Sequence, residues 1–294
     1  MIAMASSSSE HMYSELSDVQ VQDKDKLPFF RQNLGPCLVP ETQDMLENYS
    51  KIPREEQLRH VHRIRDRAWN ARAWPCIGLG IWLTPQLRRQ VFYPEILDRV
   101  KAGAVVMDIG TFIGHDIRRL VYDGAPSKNM YGIDIVNHFE TGYEFFRDRD
   151  SFEGHFIEAD FINSNASPEL TVLKQNKVDI IVISQVLHQW NWTNQVNAAK
   201  ILSEFTKPGT WVVGNQVGNV IPQTVKLPGM PTPIYRHNPD SFKRMWDEVG
   251  TATETQWETD ATLRPIQELG FDPRDMVWAE EGHGMLEFRA KRIA

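Results

Sequence analysis

Hydrophobic positions change rhythm about a third of the way along this chain of 294 residues. Before that point they recur at helical spacing. Leu58, Val61, His62, Ile64, Arg65 and Ala68 form a stripe with the 3.6-residue period of an amphipathic helix, which predicts a helix over residues 53–72. Pro53 is tolerated in its first turn, where the missing N–H has no partner to lose. Residues 41–51 predict a short helix opened by Pro40. Residues 93–101 predict another, with Gly103 at the expected stop. Between them, residues 74–83 (WPCIGLGIWL) are aromatic and apolar but too broken by Pro and Gly for a long helix.

Beyond residue 101 short apolar runs take over, at 104–108, 130–135, 155–160, 178–184 and 210–214. Amphipathic stretches separate them, at 116–122, 140–146, 170–174 and 195–205. Strands alternating with helices predict a parallel sheet wrapped by helices, and continuous apolar runs fit strands buried on both faces. Residues 215–238 are rich in Pro and Gly and predict a lid-like insertion. Residues 239–249 predict a helix, and 253–260 and 285–293 two closing strands with a helix over 262–269 between them. The expected organisation is a mobile polar leader over 1–26, a helical and aromatic cap over 27–100, and the sheet domain over 101–294.

Composition narrows the function. There are 32 Lys and Arg against 39 Asp and Glu, a net charge of -7, which disfavours a partner bound through its phosphate backbone. No apolar run approaches the roughly 18 residues needed to cross a bilayer. The Ser-rich start has neither the basic nor the apolar region of a signal peptide. Cys37 and Cys76 make neither a disulfide framework nor a zinc box, so no metal site is expected and a reducing, cytoplasmic setting is the simple reading.

The chemistry concentrates at the ends of three strands. The run Val106-Met107-Asp108-Ile109-Gly110-Thr111-Phe112-Ile113-Gly114-His115 is a strand, a Gly-x-x-x-Gly turn and a helix start. Such a turn brings ligands close to the backbone and to the positive end of the helix. Asp134 lies 20 residues past Gly114, where an acid can accept both hydrogens of a ribose diol. Asp160 and Phe161 close the third strand, an acceptor for an adenine amino group and a cover for its ring. Alone, each has a plainer reading: a tight turn, a helix cap, a solvated loop residue. Together, in order, they converge on one crevice of an open sheet. Phe112 stands where a dinucleotide turn would need glycine, so a smaller anion such as an amino-acid carboxylate fits better.

These residues, with the strand over 179–184, resemble the class I S-adenosylmethionine-dependent methyltransferases over roughly residues 95–294. The longer run over 109–126, with Gly142-Tyr143-Glu144-Phe145-Phe146-Arg147-Asp148-Arg149, is similar to fungal secondary-metabolite methyltransferases, especially those of meroterpenoid pathways that esterify a carboxyl group. The resemblance implies a Rossmann-like α/β sheet of seven strands, one of them antiparallel, with S-adenosylmethionine as methyl donor and often a homodimer. By position, Asp108, Gly110, Thr111 and Gly114 would hold the methionine part, Asp134 and Ile135 the ribose, and Asp160 and Phe161 the adenine, with His115 and Gln185 also beside the cofactor.

For the acceptor, a small apolar molecule, the stretch after the fourth strand offers His188 as a base, while Trp190 and Trp192 are candidates for the walls of an apolar pocket. A carboxylate acceptor needs no base, only alignment, and Arg236, His237 and Gln216 are candidates to position it. Two other readings keep the fold: a cyclase using the same pocket without methyl transfer, and a non-catalytic protein that binds the cofactor.

Overall fold

The computed structural model describes residues 24, 27, 29–226, 232–266 and 280–294. Most of the expected leader, and the segment 267–279 with the last three residues of the helix expected over 262–269, lie outside the described residues.

Seven strands form one sheet in the order β3-β2-β1-β4-β5-β9-β8. They are β1 Val106–Ile109, β2 Met130–Asp134, β3 His155–Glu158, β4 Ile180–Ile183, β5 Trp211–Asn219, β8 Trp257–Pro265 and β9 His283–Arg292. β1 to β5 pair in parallel, and β9 runs antiparallel to both β5 and β8. The single reversed strand and the α/β class are therefore as expected. The chain order turns back between β1 and β4, and ligands of open sheets bind in the crevice above such a reversal.

Both faces of the sheet are covered. Five helices pack against it: α4 Tyr93–Lys101, α5 His115–Tyr122, α7 Pro168–Asn176, α8 Trp192–Ser203 and α9 Pro239–Thr253. One apolar cluster joins Ile181, Val212 and Leu286 of the sheet to Leu202 and Trp246 of the helices. The other joins Val106, Ile180 and Val213 to Ile96 and Ile117.

The N-terminal cap consists of α1 Pro40–Asn48, α2 Arg54–Ala71, α3 Pro75–Leu79 and short turns. Its Leu34, Leu46, Val61 and Ile64 bury themselves against Ile113 and against Phe145 and Phe146 of α6 Phe139–Phe146. That shared core fixes the cap over the turn that follows β1.

Two expectations are overturned. Residues 215–219 continue β5 instead of opening a loop, because each pairs with β9, from Asn215 with Glu287 to Asn219 with His283. The rest of the expected lid contains a hairpin of β6 Gln223–Val225 and β7 Ile234–Arg236. Residues 262–265 are strand and not helix, since β8 pairs with β9 as far as Pro265.

Candidate active site

The site starts at the end of β1. Gly110 has φ of +71°, and a Cβ there would lie 2.5 Å from the Val186 side chain, so only glycine keeps this turn tight and open to a ligand. Phe112 also takes a positive φ, +54°. Its N–H donates to Asp134 Oδ2 at 2.8 Å, and the Val136 N–H donates to Oδ1 at 3.0 Å. Asp134 thus ties the turn after β1 to the loop after β2 while facing the crevice. Asp108 is buried and accepts from the Thr111 hydroxyl at 2.6 Å.

Above the turn lies a cavity of about 280 Å³. Its floor is Asp108, Ile109, Gly110 and Phe112, and one side is Asp134, Ile135, His138 and Ala159 from the ends of β2 and β3. The other side is Gln185, His188, Gln189, Val217, Ile234 and Arg236 from around β4, β5 and β7. Trp74, Ile77, Ile81, Trp82 and Gln86 of the cap close it, with His115 and Asp116 of α5 beneath them. Apart from Arg236, no Lys or Arg lines it among the described residues.

The electrostatics follow from burial. Burial, and then the charge of Asp116, push the Asp108 carboxyl up to about 8. Burial also raises Asp134 to about 6, against the pull of the backbone N–H groups it accepts. His138 is lowered to about 4 by burial and Arg72, and His188 to about 3 by burial and Arg236. Both histidines are therefore neutral at pH 7. Neither ring nitrogen of His138 has a partner, nor does His188 Nδ1, so each offers a ligand an unpaired polar atom.

Several expected site residues lie elsewhere. The Asp160 side chain caps a short helical turn, accepting from Ile162 N–H and the Asn163 amide, each at 2.9 Å, and does not line the cavity. Phe161 is core, packed toward Trp190 with ring centroids 6.1 Å apart. Trp190 is 1% exposed in that same core, and the Trp192 indole donates to Glu248 at 2.9 Å, so neither walls the pocket. Gln216 points to the opposite face of β5 from Val217 and reaches Gln195 instead. His237 is buried against Ser241 Oγ at 3.0 Å, lowered to about 3 by burial and Arg244. Thr111 and Gly114 shape the turn without lining the cavity. His188 lines it, but a base this weak takes a proton from a hydroxyl poorly at neutral pH. His138 and Gln86 were missed, because nothing in their local sequence sets them apart.

A glycine turn with its acid, a second acid one strand over and a roofed apolar crevice at the sheet's reversal define a class I S-adenosylmethionine-dependent methyltransferase. The residues fit that cofactor: Asp134 faces the crevice, Gly110 leaves room where a Cβ could not stand, and the unpaired His138 ring borders the same side. Comparison with known proteins makes the assignment narrower. Residues 29–83 match the family described as meroterpenoid methyltransferase N-terminal domain. The chain is 33% identical over 262 residues to an O-methyltransferase of Stereocaulon alpinum, spanning 86% of this chain and 73% of that protein. It is 34% identical over 227 residues to a methyltransferase of Penicillium roqueforti, spanning 74% and 81%. With the asnovolin E/chermesin D methyltransferase of Aspergillus novofumigatus it shares 37% over 176 residues, spanning 59% and 63%. The chain belongs to this family of fungal secondary-metabolite methyltransferases.

The two raised carboxyls predict a pH dependence. Their folded pKa values exceed those of the unfolded chain, near 4, so the fold binds more protons than the unfolded state between pH ~4 and ~8. That contribution to stability is complete below pH ~4 and lost as the pH rises through about 6 and then about 8. A cofactor that needs both groups ionised binds better over the same rise. Saturating S-adenosylhomocysteine should therefore raise the melting temperature more at pH 8 than at pH 5, and D134N should flatten the lower part of the trend. An increment independent of pH would contradict the assignment.

Proposed function

We propose that this protein transfers the methyl group of S-adenosylmethionine to an oxygen of a largely apolar fungal metabolite, and that the oxygen belongs to a carboxyl group of a terpenoid or meroterpenoid acid. The observation that carries this reading is Arg236, a buried cation in the lining of an otherwise mostly apolar cavity, on the β4–β5 side across the crevice from Asp134. Its Nε donates to Glu280 Oε1 at 2.7 Å, and its Nη1 lies 3.4 Å from the His188 carbonyl. The remaining guanidinium donors can hold a carboxylate.

The cofactor supplies an electrophilic methyl group, and a carboxylate oxygen accepts it without any proton having to move. Arg236 then orients the acceptor, Ile234 and Val217 cover its apolar body, and Trp74 and Trp82 of the cap keep water out. His188 serves as a neutral hydrogen-bonding group. A phenol or alcohol would need a base, and burial leaves His138 and His188 too weak for that at pH 7.

The test is incubation of the purified protein with labelled S-adenosylmethionine and a panel of terpenoid acids and their alcohol counterparts. Formation of S-adenosylhomocysteine with methyl esters of the acids is expected. Ethers from the alcohols with no esters would refute the carboxyl assignment, and product formation without S-adenosylhomocysteine would refute methyl transfer.

A further inference from the structure

The cap contributes a polar group whose direction the rest of the protein sets. Gln185 follows β4 with φ of +60°, and its backbone N–H donates to the Asn215 carbonyl at 2.8 Å. Its side-chain Nε2 lies 2.9 Å from the Met285 sulfur and 2.7 Å from Asn215 Oδ1. A thioether can only accept, so the Gln185 amide must turn its NH2 this way. Asn215 therefore presents its oxygen to Gln185 and its Nδ2 to Gln86 Oε1, at 3.1 Å. That leaves Gln86 Nε2 at the end of a chain of three amides all pointing one way. Gln86 is 5% exposed and lines the cavity, and its Nε2 has no partner. A relay oriented in this way leaves Gln86 Nε2 as a free donor for an acceptor bound in the cavity that Gln86 lines.

The neighbours select the acceptor. The Leu87 N–H, next in the chain, donates to Asp116 Oδ1 at 3.2 Å, and Asp116 and Asp108 line the same part of the cavity. A bare anion beside two acids would be repelled. A group with a cation for the acids and an anionic oxygen for the amide would satisfy both, as the head of an α-amino acid does.

We propose that Gln86, oriented by Asn215 and Gln185, binds the α-carboxylate of the cofactor's methionine part, while Asp108 and Asp116 face its ammonium group. This rests on the assignment of S-adenosylmethionine as cofactor and names the cap residue that completes its site. The same amide would suit the carboxylate of an acceptor, and the test separates the two.

Calorimetry with S-adenosylhomocysteine and with 5′-methylthioadenosine, which lacks the amino-acid head, reads the proposal without turnover. Q86L should weaken S-adenosylhomocysteine about tenfold or more, since one hydrogen bond to a charged group is lost. N215D should do the same without touching Gln86, because an aspartate accepts from both sides and rotates the Gln86 oxygen toward the cavity. Methylthioadenosine should bind all three proteins alike, which also shows that the variants fold; Q86N, which withdraws the amide by one methylene, replaces Q86L should that variant not fold. Unchanged S-adenosylhomocysteine affinity in the variants overturns the proposal, and a raised acceptor KM alongside it assigns the amide to the acceptor instead. If the unaltered protein binds neither nucleoside, the cofactor assignment itself fails.

Discussion

Replacing Asp134 with asparagine should weaken S-adenosylhomocysteine binding about a hundredfold, the loss of roughly two hydrogen bonds to a charged group. The carboxylate has two tasks that an amide cannot share. Its oxygens each accept a backbone N–H, from Phe112 at 2.8 Å and from Val136 at 3.0 Å. Asparagine offers one oxygen and turns an NH2 toward the other N–H, so one of these ties becomes a donor–donor clash. The remaining lone pairs, which face the crevice, would accept from a ribose diol, and asparagine again supplies only half. Some of the loss will therefore appear as a lower melting temperature, because Phe112 is held at φ of +54° and depends on this tie. Calorimetry with methylthioadenosine separates the two effects, since it keeps the ribose. Both nucleosides should weaken together, and an unaltered affinity for methylthioadenosine would remove Asp134 from the ribose site.

The hydrophobic rhythm made the parallel sheet legible, and two of the three acids at the strand ends, Asp108 and Asp134, line one crevice. What it concealed was polar and buried. Asn215 and Gln216 read as the start of a loop, but they are 1% and 0% exposed within β5, where pairing with β9 satisfies their backbones. Gly214 read as the last residue of its strand, and a Cβ there would lie 2.0 Å from the Ile183 carbonyl, so glycine is what lets β5 lie close to β4 and run on past it. Asp160 stands at a strand end like the others, and only its bonds to Ile162 and Asn163 reveal a cap. Tryptophans 190 and 192 were expected in the pocket because aromatic residues follow β4, whereas the cavity wall is built by Trp74 and Trp82, more than a hundred residues earlier in the chain. Strand ends are set by local patterning. The roof of the site is set by how the cap docks on Ile113, Phe145 and Phe146, and no local pattern encodes that.

For the proposed carboxyl methylation the decisive residue is Arg236. Replacing it with methionine should lower kcat/KM for a carboxylic acid acceptor by about a thousandfold, the range expected when a bidentate, buried cation–carboxylate contact is lost. That variant alone is ambiguous, because it leaves Glu280 without its cation, and Glu280 Oε2 already has no partner. The double variant R236M/E280M removes both charges and keeps apolar volume in their place. If Arg236 anchors the acceptor, the double variant should be as impaired as the single one. Its S-adenosylhomocysteine affinity should be close to that of the unaltered protein, because the nucleoside site proposed at Asp134 lies at the end of β2, away from β7. If the pair only holds the β7 hairpin against the crossover to β9, the double variant should recover most of the activity. An alcohol acceptor gives a second discrimination: without a carboxylate it gains little from the guanidinium, so any residual turnover should be nearly insensitive to R236M. Full kcat/KM for acids in the double variant would remove Arg236 from the acceptor site and leave the carboxyl assignment without its anchor.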